Sequence, residues 1–217
     1  MYNKTNTKKF NSDLDWGTYW EWETIPFIEN LFNKVLNPRG QKLLFLNENL
    51  SPNVNGLKEW DMKYTIIDTF TNQIIKTLTF EIKTDKFDET GNLFFEKSCS
   101  KKASGLFKTK ADFFVYFLPR YKKDNFYLAK SSELVKLIED NFGSCINYGA
   151  GDGGKVVSYL INKSSFDEVL TNDKTCKLFT CDLKIPEKFM IPKFGDKKRY
   201  VYYADSIVKY PDPFDFK

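Results

Sequence analysis

The stretch TLTFEIKTD, residues 77–85, decides the fold and carries the first chemical signal of the chain. Its apolar residues alternate with polar ones, which predicts a β-strand with one buried face. Glu81 and Lys83 are two residues apart, so on such a strand they share the face opposite the apolar one. The apolar positions are Leu78, Phe80 and Ile82.

A second strand-like run precedes this stretch at residues 59–68, and the short segment TFTNQ between them predicts a β-hairpin. With a three-residue loop centred on Thr71, Asp61 lies directly across from Glu81, and both side chains lie on one face. Asp68, the other acid of the first strand, then lies roughly 20 Å from Glu81 at about 3.3 Å per residue. The hairpin geometry therefore selects Asp61 as the partner of Glu81.

Two interpretations of this group of charges stay open. Acid-x-lysine triplets recur in the chain, for example at Asp182-Leu183-Lys184, and a solvated strand face with a cross-strand ion pair of about 0.2–1 kcal/mol explains any of them. Alternatively, Asp61 and Glu81 supply the carboxylate oxygens that Mg²⁺ prefers. A metal held there activates a water and binds a phosphate oxygen, while Lys83 orients the water or neutralises developing charge.

Composition narrows the choice of chemistry. The chain has 217 residues and no histidine, which excludes Ser-His-Asp triads, Cys-His dyads and histidine-ligated metal sites. Its four cysteines form no CxxC pair, so we expect reduced thiols rather than a zinc site. We expect a cytoplasmic protein, because there is no long apolar run for a membrane span and no secretory signal at the N-terminus. The net charge of +4 permits nucleic-acid binding without demanding it.

The remaining segments predict an α+β fold. Residues 18–36 have the spacing of a helix, NLFFEKSC predicts a third strand after the hairpin, and ASGLFKTKA predicts a short helix or turn before the strand DFFVYFLP. NFYLAK and SSELVKLIEDN predict a strand and then a helix with Ser131 or Ser132 as its N-cap. From residue 143 onward we expect an irregular, β-rich region.

Asp61, nineteen residues, and then Glu81-Ile82-Lys83 resembles the PD-(D/E)xK superfamily of nucleases, which have the restriction-endonuclease-like fold. The order of segments is also similar: a helix, a three-stranded antiparallel meander, a short helix and a further strand. DLDWGTYWE resembles the entry of the first helix in phage-type members. The resemblance covers about residues 13–119, and with it we expect a nuclease core at 13–142 and a C-terminal extension packed on it at 143–217. Residues 1–12 are polar, so we expect a flexible N-terminus there.

The resemblance also implies residue roles beyond the central triplet. It makes the carbonyl of Ile82 a further metal ligand, and Glu21 and Glu96 added ligands or supports of the metal. An exposed helix acid and a strand-edge ion pair are the ordinary alternatives for these two. It also places three residues towards the nucleic acid, although lysines at such positions are more often simply solvated. These residues are Lys108, Thr109 and Lys110.

The segment INYGAGDGGK, residues 146–155, permits a different enzyme class. Gly149, Gly151 and Gly153 have the spacing of the loop of S-adenosylmethionine-dependent methyltransferases, provided that KVVSYLI is the helix that follows. No βαβ unit comes before the segment, and a glycine-rich hairpin between two late strands fits it as well.

The sequence thus predicts a DNA endonuclease that uses Mg²⁺ or Mn²⁺, of low sequence specificity or guided by DNA structure, with Holliday-junction resolvases among the candidates. A relative that binds nucleic acid without cutting it is the alternative, and a methyltransferase is a third. DNA or RNA as substrate, endonucleolytic or exonucleolytic cutting, and a homodimer all stay open.

Overall fold

The computed structural model describes Ile28 and residues 43–48, 60–85, 90–118, 126–150, 154–172, 178–183 and 204–208. Within these residues the protein is a mixed α+β fold, as predicted, with two α-helices and two β-sheets. The strands are Leu43–Glu48 (β1), Met62–Asp68 (β2), Gln73–Thr84 (β3), Asn92–Cys99 (β4), Lys102–Ala103 (β5), Phe113–Phe117 (β6), Phe126–Lys130 (β7), Ile146–Ala150 (β8), Val156–Asn162 (β9), Leu178–Leu183 (β10) and Ala204–Val208 (β11). The α-helices are Ser131–Asn141 (α1) and Lys163–Asn172 (α2), and a 3₁₀ turn covers Gly105–Phe107.

The larger sheet has the strand order β1-β2-β3-β6-β7-β10-β11, and it contains the predicted hairpin. Met62 faces Phe80, which is the register the sequence predicts. The turn spans four residues, Thr69 to Asn72, and not three. A bulge between Ile66 and Ile67 compensates for the extra residue, so the half of the hairpin near Glu81 keeps its register.

The smaller sheet has the order β5-β4-β9-β8 and corrects one prediction. NLFFEKSC is a strand, but it does not continue the meander of β2 and β3, because it pairs with β9. The open edge of β3 is instead occupied by β6, in parallel. All five residues of β6 are buried, so this strand belongs inside a sheet, whereas β4 buries only one face. The antiparallel meander of the larger sheet is β1-β2-β3, and its first strand was not predicted.

The region after residue 143 is less irregular than the sequence predicts. It contains the helix α2, which the prediction missed, directly after β9. The side chain of Asn162 accepts hydrogen bonds from the backbone N–H groups of Ser164 and Ser165 at 3.0 and 3.4 Å, as an N-cap does. Phe166 and Leu170, one turn apart, are buried. Residues 146–150 and 154–172 therefore share a sheet and a core with the part of the chain before residue 142.

The start of α1 also differs from the prediction. Lys130 is the N-cap residue, and it makes no capping hydrogen bond with its side chain. Ser131 is already helical, and its backbone N–H donates to the carbonyl of Asp112 at 3.0 Å. The predicted serine caps are therefore wrong, because β7 continues directly into the helix without an intervening loop.

A hydrophobic core joins the two sheets and both helices. At its centre Phe95 of β4 packs against the rings of Phe114 and Tyr116 of β6, with centroids 6.4 and 5.0 Å away. The ring of Phe166 from α2 lies 5.8 Å from Phe95 on another side. Phe114 and Tyr116 pair with Glu81 and Lys83, so the polar face of β3 lies beside this core.

A buried carboxylate is built into the junction of the sheets. Asp85 is only 6% exposed, and its Oδ2 accepts a hydrogen bond of 2.6 Å from the hydroxyl of Tyr116. The same hydroxyl accepts one of 2.8 Å from the backbone N–H of Phe94. Tyr116 thus connects the end of β3 to β4.

We expect Tyr116→Phe to lower the free energy of unfolding by about 1–3 kcal/mol, because it removes a donor from a buried carboxylate and an acceptor from a partly buried amide. Urea denaturation measures this change. Tyr148→Phe is the matched control, since Tyr148 is 75% exposed, and its effect should be below about 0.5 kcal/mol. Equal stability of Tyr116→Phe and the wild type would show that the junction is not held by this hydroxyl.

Two further observations concern the predicted environment. No helix among the described residues is long and apolar enough to cross a membrane. Cys99 and Cys145 are both partly buried free thiols.

Candidate active site

Asp61 lies one residue before β2, at the point where the hairpin ladder ends. Its backbone N–H donates to the carbonyl of Phe80 at 2.9 Å. Its carboxylate Oδ2 accepts a hydrogen bond of 2.8 Å from the backbone N–H of Ile82. The side chain of Asp61 therefore lies against the peptide that joins Glu81 to Ile82, beside the predicted partner.

The carbonyl of Ile82 faces the same edge of β3 as Asp61. In a strand the N–H and C=O of one residue point to the same side, because opposed residues exchange both bonds. The N–H of Ile82 points to Asp61, so its C=O does as well. The carbonyl oxygen of Ile82 thus faces the β2 side of β3, at the point where the pairing of the two strands ends.

Glu81 is half-buried on the polar face of β3, between Thr79 and Lys83. Its Oε2 accepts a hydrogen bond of 3.0 Å from the hydroxyl of Thr109. That hydroxyl also accepts a hydrogen bond of 3.2 Å from the backbone N–H of Ala111, which fixes its orientation. Thr109 therefore positions Glu81, a role that the sequence analysis did not assign to it.

The segment that carries Thr109 is anchored to β3 by a second contact. Asp112 Oδ2 accepts hydrogen bonds from both the backbone N–H and the hydroxyl of Thr79, each at 2.9 Å. The hydroxyl of Thr79 in turn accepts one from the backbone N–H of Asp112 at 2.9 Å. The only sequence signal for this pair of contacts between Thr79 and Asp112 is the mostly polar segment TKAD, residues 109–112, before an apolar strand.

Lys83 shares a face with Glu81, as predicted, and is half-buried. Its ammonium lies 5.9 Å from the centroid of the Phe94 ring, at the outer limit of a cation–π contact. Phe94 belongs to β4, so Lys83 lies between the two sheets. The lysine is near the acids along the strand, and its charge is directed towards the junction.

The other predicted site residues lie on different parts of the fold, and one of them is outside the described residues. Glu96 is on β4 in the smaller sheet, where it faces Ser158, and not on the hairpin. Lys108 and Lys110 are exposed on either side of Thr109. Glu21 and the residues 1–12 lie outside the described part of the chain. From the predicted helix at 18–36 the structure describes only Ile28, which is helical and fully buried.

The donor set at the hairpin suits a hard cation. The carboxylate of Asp61, which accepts from Ile82 N–H, and the carboxylate of Glu81, which accepts from Thr109, lie at the same end of β3. Mg²⁺ is commonly bound by one or two carboxylates together with waters. Over the described ranges, no group of three or more acidic or cysteine side chains is placed to share a metal.

No family model, curated protein or solved structure matches this chain. The chemistry of the site therefore rests on its own residues and contacts.

The glycine-rich segment is part of a hairpin. β8 and β9 pair antiparallel, with Ile146 opposite Tyr159, and Gly149 and Gly154 both have positive φ angles. Val156–Asn162 is a strand and not the helix that a methyltransferase loop requires. The interpretation of this segment as a hairpin turn agrees with the structure, and the strand–loop–helix unit is absent from residues 146–150 and 154–162.

Proposed function

We propose that this protein is a metal-dependent nuclease of the PD-(D/E)xK type, which hydrolyses phosphodiester bonds in DNA. The observation that carries the proposal is the hydrogen bond from Ile82 N–H to Asp61, because it brings the carboxylate of Asp61, just before β2, to the Glu81-Ile82-Lys83 triplet of β3. The antiparallel meander β1-β2-β3 with β6 alongside β3 supports the corresponding core. We place the activity in the cytoplasm.

Each side chain then has a distinct task. Asp61, Glu81 and the carbonyl of Ile82 would hold Mg²⁺ or Mn²⁺. The bound ion would lower the pKa of a coordinated water and polarise the phosphate. Lys83 orients the attacking water and offsets charge that develops on the phosphate oxygens. Thr109 fixes the rotamer of Glu81, so the carboxylate does not have to be ordered when the metal binds.

A relative that binds nucleic acid without cleaving it is the second candidate. One observation favours it: the bond from Ile82 N–H gives Asp61 a structural task, since it completes the ladder where β2 has not yet begun. The cation–π contact of Lys83 with Phe94 is also compatible with a purely structural lysine.

Cleavage assays separate the two candidates. The substrates are supercoiled plasmid, linear duplex, single-stranded DNA, a four-way junction and RNA, each with Mg²⁺, Mn²⁺ or EDTA. We expect cutting that requires the metal, and a decrease of about 10²–10⁴-fold in Lys83→Ala. Lys155→Ala is the matched control, because Lys155 is an exposed lysine near the β8–β9 turn. Absence of cutting by the wild type with either metal would favour the binding-only relative.

We also expect Thr109→Val to lower the cleavage rate about 10–100-fold, because this variant keeps the size of the side chain and removes the donor to Glu81. Thr109→Ser should restore most of the rate, since it keeps the hydroxyl. Titration of the rate with Mn²⁺ shows whether the loss comes from weaker metal binding. If Thr109→Val cuts as fast as the wild type, Glu81 does not depend on this hydrogen bond.

A further inference from the structure

A cavity of about 620 Å³ opens between the hairpin, the start of α1 and the segment that carries Thr109. Its wall is partly polar and includes the three lysines Lys76, Lys110 and Lys130 and the acid Asp112. The ammonium of Lys130 is also paired with the carboxylate of Glu133, in the first turn of α1, at 3.1 Å. One oxygen of Asp112 is already engaged by two hydrogen bonds from Thr79. With Glu133 included, three lysines face two acids at this cavity, and the excess of one positive charge favours an anion.

The helix α1 begins in the wall of this cavity, with Ser131 and Ser132 as its first residues. The first amides of an α-helix have no acceptor within the helix, and the helix dipole adds a partial positive charge there. Such an end binds phosphate groups readily. At eleven residues, α1 is long enough for this effect.

A buried hydroxyl gives independent evidence for a ligand. Ser131 is 6% exposed, and its Oγ is buried with no hydrogen-bond partner. An unsatisfied buried hydroxyl costs about 1–3 kcal/mol, so such groups are rare in native proteins. An anion against the first turn of α1 would supply the acceptor that this hydroxyl lacks.

The electrostatics of the lysines agree with this geometry. Burial lowers the pKa of Lys76, and the positive charge of Lys130 lowers it further, while Asp112 raises it. Burial is thus the main cost of the charge on Lys76, since Glu133 offsets part of the charge on Lys130. An anion beside Lys76 would stabilise its charged form.

The cavity adjoins the candidate active site through one residue. Thr109 lines the cavity, and its hydroxyl donates to Glu81. A nucleic-acid strand that places one phosphate in the cavity would therefore have a neighbouring part of its backbone near the carboxylates. Lys110 lines the cavity as well, whereas Lys108 does not.

We propose that this cavity is a phosphate-binding site, formed by Ser131, the first turn of α1, Lys76 and Lys130, which holds one phosphate of the DNA backbone next to the scissile bond. The inference rests on the proposed nuclease function for the source of the phosphate. The anion chemistry of the cavity itself does not depend on cleavage.

Binding without cleavage tests this proposal. The amide signals of ¹⁵N-labelled full-length protein are followed by NMR in EDTA, with either inorganic phosphate or a short single-stranded oligonucleotide that lacks terminal phosphates. We expect both probes to shift the amides of Ser132 and Glu133. Ser131→Ala should weaken both affinities about threefold and Lys76→Gln with Lys130→Gln about tenfold, consistent with lost charge-assisted hydrogen bonds. Lys136→Gln, an exposed lysine of the same helix outside the cavity, should change neither.

The alternative results are distinct. Shifts with inorganic phosphate alone would overturn the assignment to DNA and leave a site for free phosphate. Shifts with neither probe would overturn the site itself. Because Ser131 Oγ makes no hydrogen bond within the protein, Ser131→Ala should melt at or above the wild-type temperature, and a lower Tm would indicate a structural role instead. Binding is measured without metal, so it is independent of cleavage. A protein that binds both probes but cuts no substrate in the cleavage assays would therefore refute the nuclease proposal and leave the phosphate site intact.

Discussion

Replacing Glu81 by glutamine should lower metal-dependent cleavage at least about 100-fold, because it removes one of the two charges that hold the cation. The fold should be unaffected. The glutamine carbonyl can still accept the hydrogen bond that Thr109 donates to Glu81 Oε2. Cleavage rates at saturating Mn²⁺, together with a thermal melt, measure both effects.

Asp61→Asn should have an effect of the same size for the same reason. Asparagine is a better test than alanine at this position, because its side-chain oxygen can still accept the hydrogen bond from Ile82 N–H. An alanine would also leave that amide without its acceptor and so mix a loss of stability into the result.

The matched control for both variants is Glu168→Gln, which removes one negative charge from an exposed position of α2 and should cut at the wild-type rate. Full cleavage by either Glu81→Gln or Asp61→Asn would contradict the assigned site. Loss of cleavage in the control would point to an effect of overall charge on DNA binding.

Phe95→Ala should lower the free energy of unfolding by about 3–5 kcal/mol, the largest change in stability expected here. Phe95 is 2% exposed and contacts rings from both the larger sheet and α2. Its removal leaves a cavity where the two sheets and the helix meet, and the surrounding elements cannot all move to fill it. Chemical denaturation with circular dichroism and tryptophan fluorescence measures the change.

Phe70→Ala is the control for this variant, since Phe70 is 80% exposed in the hairpin turn, and its cost should be below about 0.5 kcal/mol. A small effect of Phe95→Ala would mean that the two sheets are joined mainly by other contacts. In that case Tyr116→Phe should have the larger effect of the two.

The alternation of apolar and polar residues correctly predicted the features that depend on residues close together in the sequence. The pattern of β3 correctly placed Glu81 and Lys83 on one face and Leu78 and Phe80 on the other. The register of the hairpin was also predicted near Asp61, although the turn length was wrong and the bulge at Ile66 compensated for it. Hairpin pairing is local, so turn residues and the apolar pattern are sufficient to specify it.

Features that depend on distant residues were not predicted. The sequence of β4 does not show that its partner is β9 and not β3, because a one-sided apolar strand can pair in either sheet. The helix α2 was missed because its cap, Asn162, ends a strand without an intervening loop.

The candidate site shows the same division. Asp61, Glu81 and Lys83 form a recognisable triplet in the sequence, whereas the hydrogen bond from Thr109 to Glu81 joins residues 28 positions apart, on separate elements. Serines at the start of α1 suggested a cap, and only the structure shows that Lys130 occupies that position and that Ser131 lies in a cavity wall.

The pairing of β4 with β9 has a consequence for the order in which the chain folds during synthesis. Cys99 at the end of β4 pairs with Val156 at the start of β9, so β4 emerges from the ribosome long before its partner. Until then its apolar face, with Leu93 and Phe95, has only part of its final cover, and such surfaces favour aggregation. The hairpin with the acidic pair can form early, but a chain arrested before β9 lacks the smaller sheet that packs behind it. Nascent chains halted at residue 150 should therefore be digested by protease, and chains released beyond residue 172 should resist it.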